Sequence, residues 1–324
     1  MTTAAQHTRS KVAAMSLVIG LIGCGRWGKR HLSTLKKFKT TEEVGRIVVC
    51  DVDTTRLMDI DVDAVFSSTE TMLAEEELDA ALIVTPPASH VELMRLVLNH
   101  QLPVLVEKPL GNSMNEVRSA LASLPEGATV MVGFLLRHHE GVRRIHAMVK
   151  EGDLGDIHSF SYTRTTPRHR PEGAEPLTTL AVHGLDLMAW MLETPLMTMN
   201  VQQSEVETDK ANLCFKTNQH QSGVVSVAWS SEKERRQIIV EGTLGRAELD
   251  FGTGGLNVRK GSTTHHLKVV SAPLEDEQRA FLEWVRNGEP RVYPSHEVLL
   301  DHETWLHGFA EANRSPSDGS LCEN

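Results

Sequence analysis

The sequence SLVIGLIGCGRWG spans residues 16–28. Its first seven residues form a short apolar run with several β-branched side chains, which predicts a β-strand. Gly23, Gly25 and Gly28 follow in a GxGxxG pattern, and apolar residues at helical spacing continue to about Lys37. This pattern between a strand and a helix predicts a dinucleotide-binding turn. The first glycine allows the tight turn, the second lets a pyrophosphate approach, and the third lets the helix pack against the sheet.

A second predicted strand, Arg46–Cys50, ends at Asp51. A carboxylate about twenty residues beyond the last glycine can accept hydrogen bonds from the ribose hydroxyls of a bound dinucleotide. The same carboxylate would repel a 2′-phosphate, so the sequence favours NAD over NADP, although Arg56 argues in the other direction. The alternative interpretation of Asp51 is a turn residue that caps the strand end.

Strands and helices continue to alternate after Asp51, which predicts a parallel sheet covered by helices. Ligands on such sheets bind at the carboxyl ends of the strands, where Gly23, Asp51, Thr85 and Lys108 all fall. The predicted strands are Ala80–Val84, Val104–Val106 and Thr129–Val132, and the predicted helices are His90–Leu98 and Ser113–Leu124.

From about Ile157 the pattern changes to short strands joined by polar turns, which predicts a mostly antiparallel open sheet. We therefore expect a flexible tail over residues 1–14, a doubly wound Rossmann domain over 15–135 and a second domain over 136–324. Two final helices are expected to pack back on the first domain. The predicted strands are Ile157–Arg164, Asn200–Val206, Asn212–Lys216, Gly223–Ser230, Arg236–Glu241, Ala247–Asp250 and Leu267–Val270, and the final helices are Glu275–Asn287 and Ser295–Asn313.

The formal net charge is −10. Such a chain repels nucleic acid and anionic membranes at long range, so we expect neither as a partner. The four cysteines form no CxxC pair and the histidines show no HExxH spacing, so we expect no disulfide framework and no metal site. These features favour the cytoplasm.

A Glu-Lys-Pro sequence at 107–109 follows a predicted strand, downstream of Thr85-Pro86 and His90. Together with the glycine pattern, these residues resemble the glucose–fructose oxidoreductase and inositol dehydrogenase family (Gfo/Idh/MocA). The resemblance runs from about Ser16 almost to the C-terminus. It includes Gly133-Phe134 followed by Arg137, the Gly152–Gly155 turn, and Glu241–Gly245.

The resemblance implies an oxidoreductase that uses NAD or NADP to oxidise or reduce hydroxyl groups of sugars, cyclitols or sugar nucleotides. It implies that Lys108 contacts both substrate and nicotinamide, and that the Lys108-Pro109 bond is cis. A lysine beside the nicotinamide cation can hydrogen-bond and polarise the reacting oxygen. Further cofactor-binding residues are expected at Arg26, Trp27, Thr85, Pro86, His90 and Glu107. Sheets of the second domain pair face to face in this family, which implies a homodimer or homotetramer.

The apolar segment Thr178–Leu192 predicts a helix with His183 three residues before Asp186 and four after Thr179. On an α-helix these three side chains project to one side. The resemblance implies a family Asp-x-x-x-His-x-x-Asp pattern here, with Thr179 in place of the first acid. A histidine suits removal of a hydroxyl proton during hydride transfer. Asp186 then either orients the imidazole or pairs with a neighbouring backbone group, and a buried core histidine is the alternative for His183.

A basic stretch in this acidic chain carries Arg164, Arg168 and Arg170. Arginines bind phosphate and carboxylate through two parallel hydrogen bonds. The stretch resembles the Arg-x-x-Pro segment of members that act on UDP-sugars, so with Arg137 it predicts a substrate such as a UDP-N-acetylhexosamine oxidised at C3. A solvated loop is the alternative, which would favour a free sugar or cyclitol. A non-catalytic NAD-binding sensor is the third interpretation, because Thr179 cannot act as a base.

Overall fold

The computed structural model describes residues 16–288 and 290–314, so the predicted tail lies outside the described residues. The chain forms two compact units. Of the described residues, the first unit comprises those up to Asn112 together with Ser119–Gly133 and Gln278–Tyr293. The second comprises Ser113–Arg118, Phe134–Glu277 and the described residues from Pro294 onward.

The first unit contains a seven-stranded sheet. Its strands are Leu17–Ile22 (β1), Val44–Cys50 (β2), Ala64–Phe66 (β3), Ala80–Ile83 (β4), Val104–Glu107 (β5), Thr129–Gly133 (β6) and Arg291–Tyr293 (β15). Their spatial order is β15-β6-β5-β4-β1-β2-β3. Every neighbouring pair is parallel. The prediction of a parallel, Rossmann-type sheet is therefore confirmed, although β3 and β15 were not predicted because each has only three residues.

The helices that the sequence predicted begin and end close to the predicted positions, except that the helix expected from Thr178 begins at Val182. Among the described residues the helices are Gly28–Thr40 (α1), Thr69–Glu75 (α2), His90–Asn99 (α3), Met114–Ala122 (α4), Glu140–Lys150 (α5), Val182–Leu192 (α6), Pro273–Asn287 (α7) and His296–Arg314 (α8). The sequence analysis did not predict α2 or α5. In the first unit, α1 packs Leu35 and Phe38 against Ile19 and Leu21 of β1, all almost fully buried. This core fixes α1, and with it the glycine turn, at the carboxyl end of β1.

The second unit contains an eight-stranded sheet. Its strands are Ile157–Thr165 (β7), Asn200–Val206 (β8), Lys210–Lys216 (β9), Ser222–Ala228 (β10), Arg235–Gly242 (β11), Gly245–Asp250 (β12), Gly255–Lys260 (β13) and Thr263–Lys268 (β14). The order is β14-β13-β12-β11-β7-β10-β9-β8. Only β7 and β10 pair in parallel, so the predicted mostly antiparallel sheet is confirmed. Burial alternates along β9 and β10, because one face of the sheet packs against the core.

Two local predictions in this sheet are wrong. The strand predicted at Leu267–Val270 is β14, which begins at Thr263 and ends at Lys268. Its partner β13 was not predicted at all. All six residues of β14 are exposed, so this strand lacks the alternation of apolar and polar residues that predicts a half-buried strand. In β13 the burial does alternate, with Leu256 and Val258 buried, but the alternation extends over only four residues.

No helix among the described residues is both long and apolar enough to cross a bilayer. Cys24, Cys50 and Cys214 are free thiols. Within 16–288 and 290–314, no three His, Cys, Asp or Glu side chains are grouped as a metal ion would require.

Candidate active site

The three glycines of the turn between β1 and α1 meet different surroundings. Gly23 has φ +97°, and a Cβ there would lie 2.4 Å from the carbonyl oxygen of Val84. A Cβ on Gly28 would lie 2.1 Å from the carbonyl oxygen of Gly23. At Gly25 the nearest atom to an added Cβ is Nη1 of Arg56 at 3.7 Å. Gly23 and Gly28 are therefore required by the backbone, whereas Gly25 leaves its outer side open for a ligand.

The N-terminus of α1 has the properties of a phosphate-binding site. No side chain caps it, and no acidic residue lies in its first turn. Arg26 precedes it with an exposed side chain. The helix dipole and the N–H groups of the first turn favour an anion at this position. Together with the open side of Gly25, this end of α1 fits the pyrophosphate of a dinucleotide.

Asp51 lies directly after β2 and is 5% exposed. Its Oδ2 accepts the backbone N–H of Cys24 at 2.7 Å, and its Oδ1 accepts the N–H of Asp53 at 2.9 Å. Nη1 of Arg56 lies 3.5 Å from Oδ2. Asp51 thus ties the glycine turn to the end of β2. A carboxylate oxygen can accept more than one hydrogen bond, so these contacts leave capacity for ribose hydroxyls.

Glu107, the last residue of β5, is the centre of a buried hydrogen-bond network. Its Oε1 accepts the indole N–H of Trp27 at 2.5 Å and lies 2.9 Å from Nε2 of His31. Its Oε2 accepts the backbone N–H of Lys108 at 3.2 Å. Burial opposes ionisation of Glu107, but the hydrogen bonds from His31 and Trp27 and the charge of Lys108 hold its pKa below the ordinary value. Trp27 belongs to the glycine turn, so the network joins that turn to the segment that carries Lys108.

His90 connects the ends of two other segments. One ring nitrogen lies 2.8 Å from the carbonyl oxygen of Pro109 and the other lies 2.8 Å from that of Thr85. The ring is 1% exposed. Thr85 and Pro86 are more accessible, and the peptide bond from Lys108 to Pro109 is cis. His90 therefore has a structural role: its buried ring links the backbone at Thr85 to the backbone at Pro109 in the predicted cofactor site.

The second unit places Asp186 in a buried ion pair. Nε and Nη2 of Arg137 both lie within 2.9 Å of its Oδ1, with Nη2 at 2.7 Å. Nε2 of His302, from α8, lies 3.1 Å from the same oxygen. Burial would raise the pKa of Asp186, but the guanidinium of Arg137 and the neighbouring His302 lower it from its ordinary 3.8 to about 2. Arg137 was predicted to bind the substrate and Asp186 to assist His183. The structure pairs these two residues with each other.

A cavity of about 400 Å³ opens beside this ion pair and is lined by Arg137 and His302 together with residues of α5 and α6. The rings of His146 and Trp190 form one wall, stacked with centroids 3.9 Å apart. The guanidinium of Arg137 lies 5.0 Å from the centroid of Trp190. Arg137 therefore contacts Asp186 on one side and an open volume on another.

The helix that carries His183 begins differently from the prediction. Residues Leu177–Ala181 form a π-helical turn, closed by a hydrogen bond from the N–H of Val182 to the carbonyl oxygen of Leu177. The α-helix itself starts at Val182. Thr179 lies in this π-helical turn, whereas His183 and Asp186 lie in the α-helix, so the three residues are not carried by one continuous α-helix as predicted. His183 and Thr179 are both half-buried.

The basic stretch is partly neutralised by acidic neighbours. Arg164 lies 3.1 Å from Oε1 of Glu234. Nε of Arg170 lies 3.0 Å from Oδ1 of Asp209, and its Nη1 donates to the carbonyl oxygen of Ala174. Arg168 is exposed. Two of the three arginines therefore already hold carboxylates.

Sequence reasoning missed three residues of these networks. His31 lies four residues after Trp27 on α1, a spacing that places both side chains on one helix face and could have been recognised. Gln278 donates its amide N–H to Nδ1 of His31 at 2.9 Å from 247 residues away, and His302 reaches Asp186 from α8. No local pattern in the sequence reports such distant partners.

The parallel sheet, the glycine turn and Asp51 define the class of NAD-binding Rossmann oxidoreductases. Residues 17–134 match the family model described as "Oxidoreductase family, NAD-binding Rossmann fold". Residues 142–248 match the GFO/IDH/MocA C-terminal domain. The chain belongs to the GFO/IDH/MocA family of oxidoreductases, as the sequence resemblance implied, and its cofactor is a nicotinamide dinucleotide.

Three known proteins illustrate the likeness. Inositol 2-dehydrogenase of Pseudomonas fluorescens is 25% identical over 197 residues. The matched region covers 58% of this chain and 58% of that enzyme, so the chain spans just over half the length of this relative. KijD10, a 3-ketoreductase of Actinomadura kijaniata solved with NADP and TDP-benzene, has a TM-score of 0.74 at 17% identity over 90% of this chain and 96% of that one. UDP-N-acetylglucosamine 3-dehydrogenase GnnA of Acidithiobacillus ferrooxidans has a TM-score of 0.74 at 17% identity over 90% and 95%. At these identities the two structures establish the shared fold.

Proposed function

We propose that this oxidoreductase transfers a hydride between NAD and a secondary hydroxyl of a sugar, with a sugar nucleotide as the substrate. In this proposal residues 15–135 bind the dinucleotide and residues 136–324 bind the substrate. The observation that carries it is the Glu107 network. One buried carboxylate binds Trp27 of the glycine turn and the backbone of Lys108, which supports a lysine held beside the dinucleotide.

Bound NAD supplies the hydride acceptor. The ammonium group of Lys108 donates a hydrogen bond to the reacting oxygen and polarises it. His183 takes the hydroxyl proton as the carbon–hydrogen electron pair leaves, so that the carbinol becomes a carbonyl. A positioned general base contributes about a hundred- to ten-thousand-fold in rate. Asp186, in its ion pair with Arg137, holds α6 and so acts on His183 through the helix.

The arginines bear on the kind of sugar. Arg168 is exposed and can contact a diphosphate, and KijD10 was solved with a nucleotide ligand. The pairing of Arg164 with Glu234 and of Arg170 with Asp209 favours a second candidate, a free sugar or cyclitol dehydrogenase. An inositol 2-dehydrogenase among the relatives agrees with that candidate.

The test is incubation of the purified protein with NAD⁺ and, separately, UDP-N-acetylglucosamine, glucose and myo-inositol, with NADH formation followed over time. We expect turnover with the UDP-sugar. Lys108→Ala and His183→Gln should each lower it by about a hundredfold or more. The matched control is Lys36→Ala, which removes a half-buried lysine of α1 that lies 3.4 Å from Asp61 and should leave turnover unchanged.

Turnover of glucose or myo-inositol alone would select the second candidate. NADH binding without turnover of any of the three would contradict the proposed reaction and favour the sensor interpretation. Equal turnover by Lys108→Ala and the parent protein would remove Lys108 from the mechanism.

We also propose a homodimer or homotetramer in the cytoplasm. The open eight-stranded sheet offers a face for pairing between copies, and free Cys24, Cys50 and Cys214 suit a reducing compartment. Sedimentation equilibrium of the purified protein measures the first point, and a single monomeric species would contradict it.

A further inference from the structure

The carboxylate of Glu107 is enclosed by groups of the protein itself. Its side chain is 7% exposed, and three N–H groups of the protein surround the carboxylate. They come from Trp27, His31 and the backbone of Lys108. A buried charge persists only when it is paired or amply hydrogen-bonded. The carboxylate therefore depends on all three groups, and each of them depends on it for an acceptor.

Gln278 holds His31 on the side of the ring that faces away from Glu107. Its amide nitrogen lies 2.9 Å from Nδ1 of His31 and 3.4 Å from the carbonyl oxygen of the same residue. Because the amide donates to Nδ1, the ring proton lies on Nε2, where it donates to Glu107. Both His31 and Gln278 are almost completely buried. Neither needs to touch a ligand to affect the carboxylate.

The end of β6 leaves room for this carboxylate. A Cβ on Gly133 would lie 3.2 Å from Cδ and Oε2 of Glu107. That distance is tighter than a normal contact, so a side chain at 133 would press on the hydrogen-bonded carboxylate. The space around Glu107 is thus set by three elements: β6, α1 and the glycine turn.

We infer that Glu107 is a positioning residue that couples the dinucleotide-binding turn to Lys108, with His31 and Gln278 holding the carboxylate in place. The inference rests on the proposed function for the catalytic part of Lys108. The coupling itself follows from two bonds: the indole of Trp27 fixes the turn on Oε1, and the N–H of Lys108 fixes the lysine backbone on Oε2. Displacement of the turn therefore displaces the lysine.

The test compares Glu107→Gln with the parent protein. The amide keeps the shape of the side chain but turns one acceptor into a donor, which leaves at least one of the three N–H groups without a partner. We expect NADH to bind roughly tenfold more weakly, and turnover at saturating NAD⁺ to fall roughly tenfold, since a lost hydrogen bond to a buried charge has this size. The indole N–H resonance of Trp27, assigned with Trp27→Phe, should move upfield.

Two variants of His31 separate coupling from general destabilisation. His31→Gln can still donate to Glu107 and should restore most of the NADH affinity that His31→Leu loses. Phe38→Leu is the control, because Phe38 is buried on the same helix but has no place in the network. It should lower the melting temperature without changing NADH affinity or the Trp27 resonance.

Unchanged NADH affinity and an unmoved indole resonance in Glu107→Gln would overturn the coupling. So would equal losses in His31→Gln, His31→Leu and Phe38→Leu. If the parent protein binds NADH but oxidises no sugar, the proposed function fails, and the NADH affinities of the same variants still decide whether Glu107 holds the turn.

Discussion

Two regions of the molecule, the Glu107 network and the helix that carries Asp186, each contain a buried carboxylate close to a predicted catalytic residue. The two carboxylates are held by different interactions. Glu107 accepts from an indole, an imidazole and a backbone N–H. Asp186 faces the guanidinium of Arg137 and the imidazole of His302. The first region is thus held by hydrogen bonds from the glycine turn, α1 and the backbone, and the second by an ion pair with a guanidinium. The first should be sensitive to added volume, and the second to loss of charge.

The largest expected effect is the loss of the ion pair in Arg137→Leu. The change leaves the carboxylate of Asp186 buried without its guanidinium, which costs about 3–5 kcal/mol of unfolding free energy. Urea unfolding measures it. Arg144→Leu is the matched control, since Arg144 forms an exposed pair with Glu140 on the same stretch of chain, worth at most about 0.5 kcal/mol. Similar losses in both variants would mean that the buried pair does not hold this region.

The glycine turn should respond to volume instead. Gly28→Ala places a methyl group against the carbonyl oxygen of Gly23 and should cost at least about 2 kcal/mol of stability. Gly25→Ala has space for the methyl group, so it should leave the melting temperature nearly unchanged while weakening NADH binding. Thermal unfolding and NADH titration measure the two effects. Equal melting temperatures for both variants would contradict the distinct roles of the two glycines.

Acid should weaken the region around Asp186. The pKa of Asp186 is lowered from 3.8 to about 2 in the folded protein, so its charged form stabilises the fold at all pH values above the unfolded pKa. This contribution, about 2 kcal/mol, is lost as the pH falls from about 4 to about 2. The stability difference between the parent protein and Asp186→Asn should therefore shrink over that range in urea unfolding. A constant difference would show that Asp186 does not titrate as described.

The smallest expected effect concerns the choice of cofactor. Asp51→Asn keeps one acceptor oxygen, enough for the N–H of Cys24 or of Asp53 but not for both. It removes the charge that repels a 2′-phosphate, while Arg56 remains beside it. The ratio of the NADPH to the NADH dissociation constant should fall roughly tenfold. Arg56→Ala should move the same ratio in the opposite direction. Unchanged ratios in both variants would place the ribose site elsewhere.

Much of the fold followed from local patterns. The apolar runs at β1, β2, β4 and β5 and the glycine pattern predicted a parallel sheet, because both features report burial and backbone conformation within a few residues. The π-helical turn at Leu177–Ala181 did not follow. Its residues have the same apolar character as those of a regular helix, and the extra residue in the turn depends on how the segment packs.

The candidate site divides in the same way. Gly23, Gly25, Gly28 and Asp51 were predicted because their function requires a fixed spacing between a strand end and a helix start. Arg137 and Asp186 were both singled out, but as separate contributors to substrate and proton chemistry. Their pairing was not predicted, since 49 residues separate them.

The amino-acid order determines where each parallel strand ends and therefore which residues gather at the glycine turn, because the carboxyl ends of parallel strands share one edge of a sheet. It does not report the partners of buried charges. Gln278 behind His31 and His302 beside Asp186 come from helices far along the chain. A carboxylate in the interior is stable only when hydrogen-bond donors surround it. Those donors can come from segments far apart in the sequence, so only the folded structure identifies them.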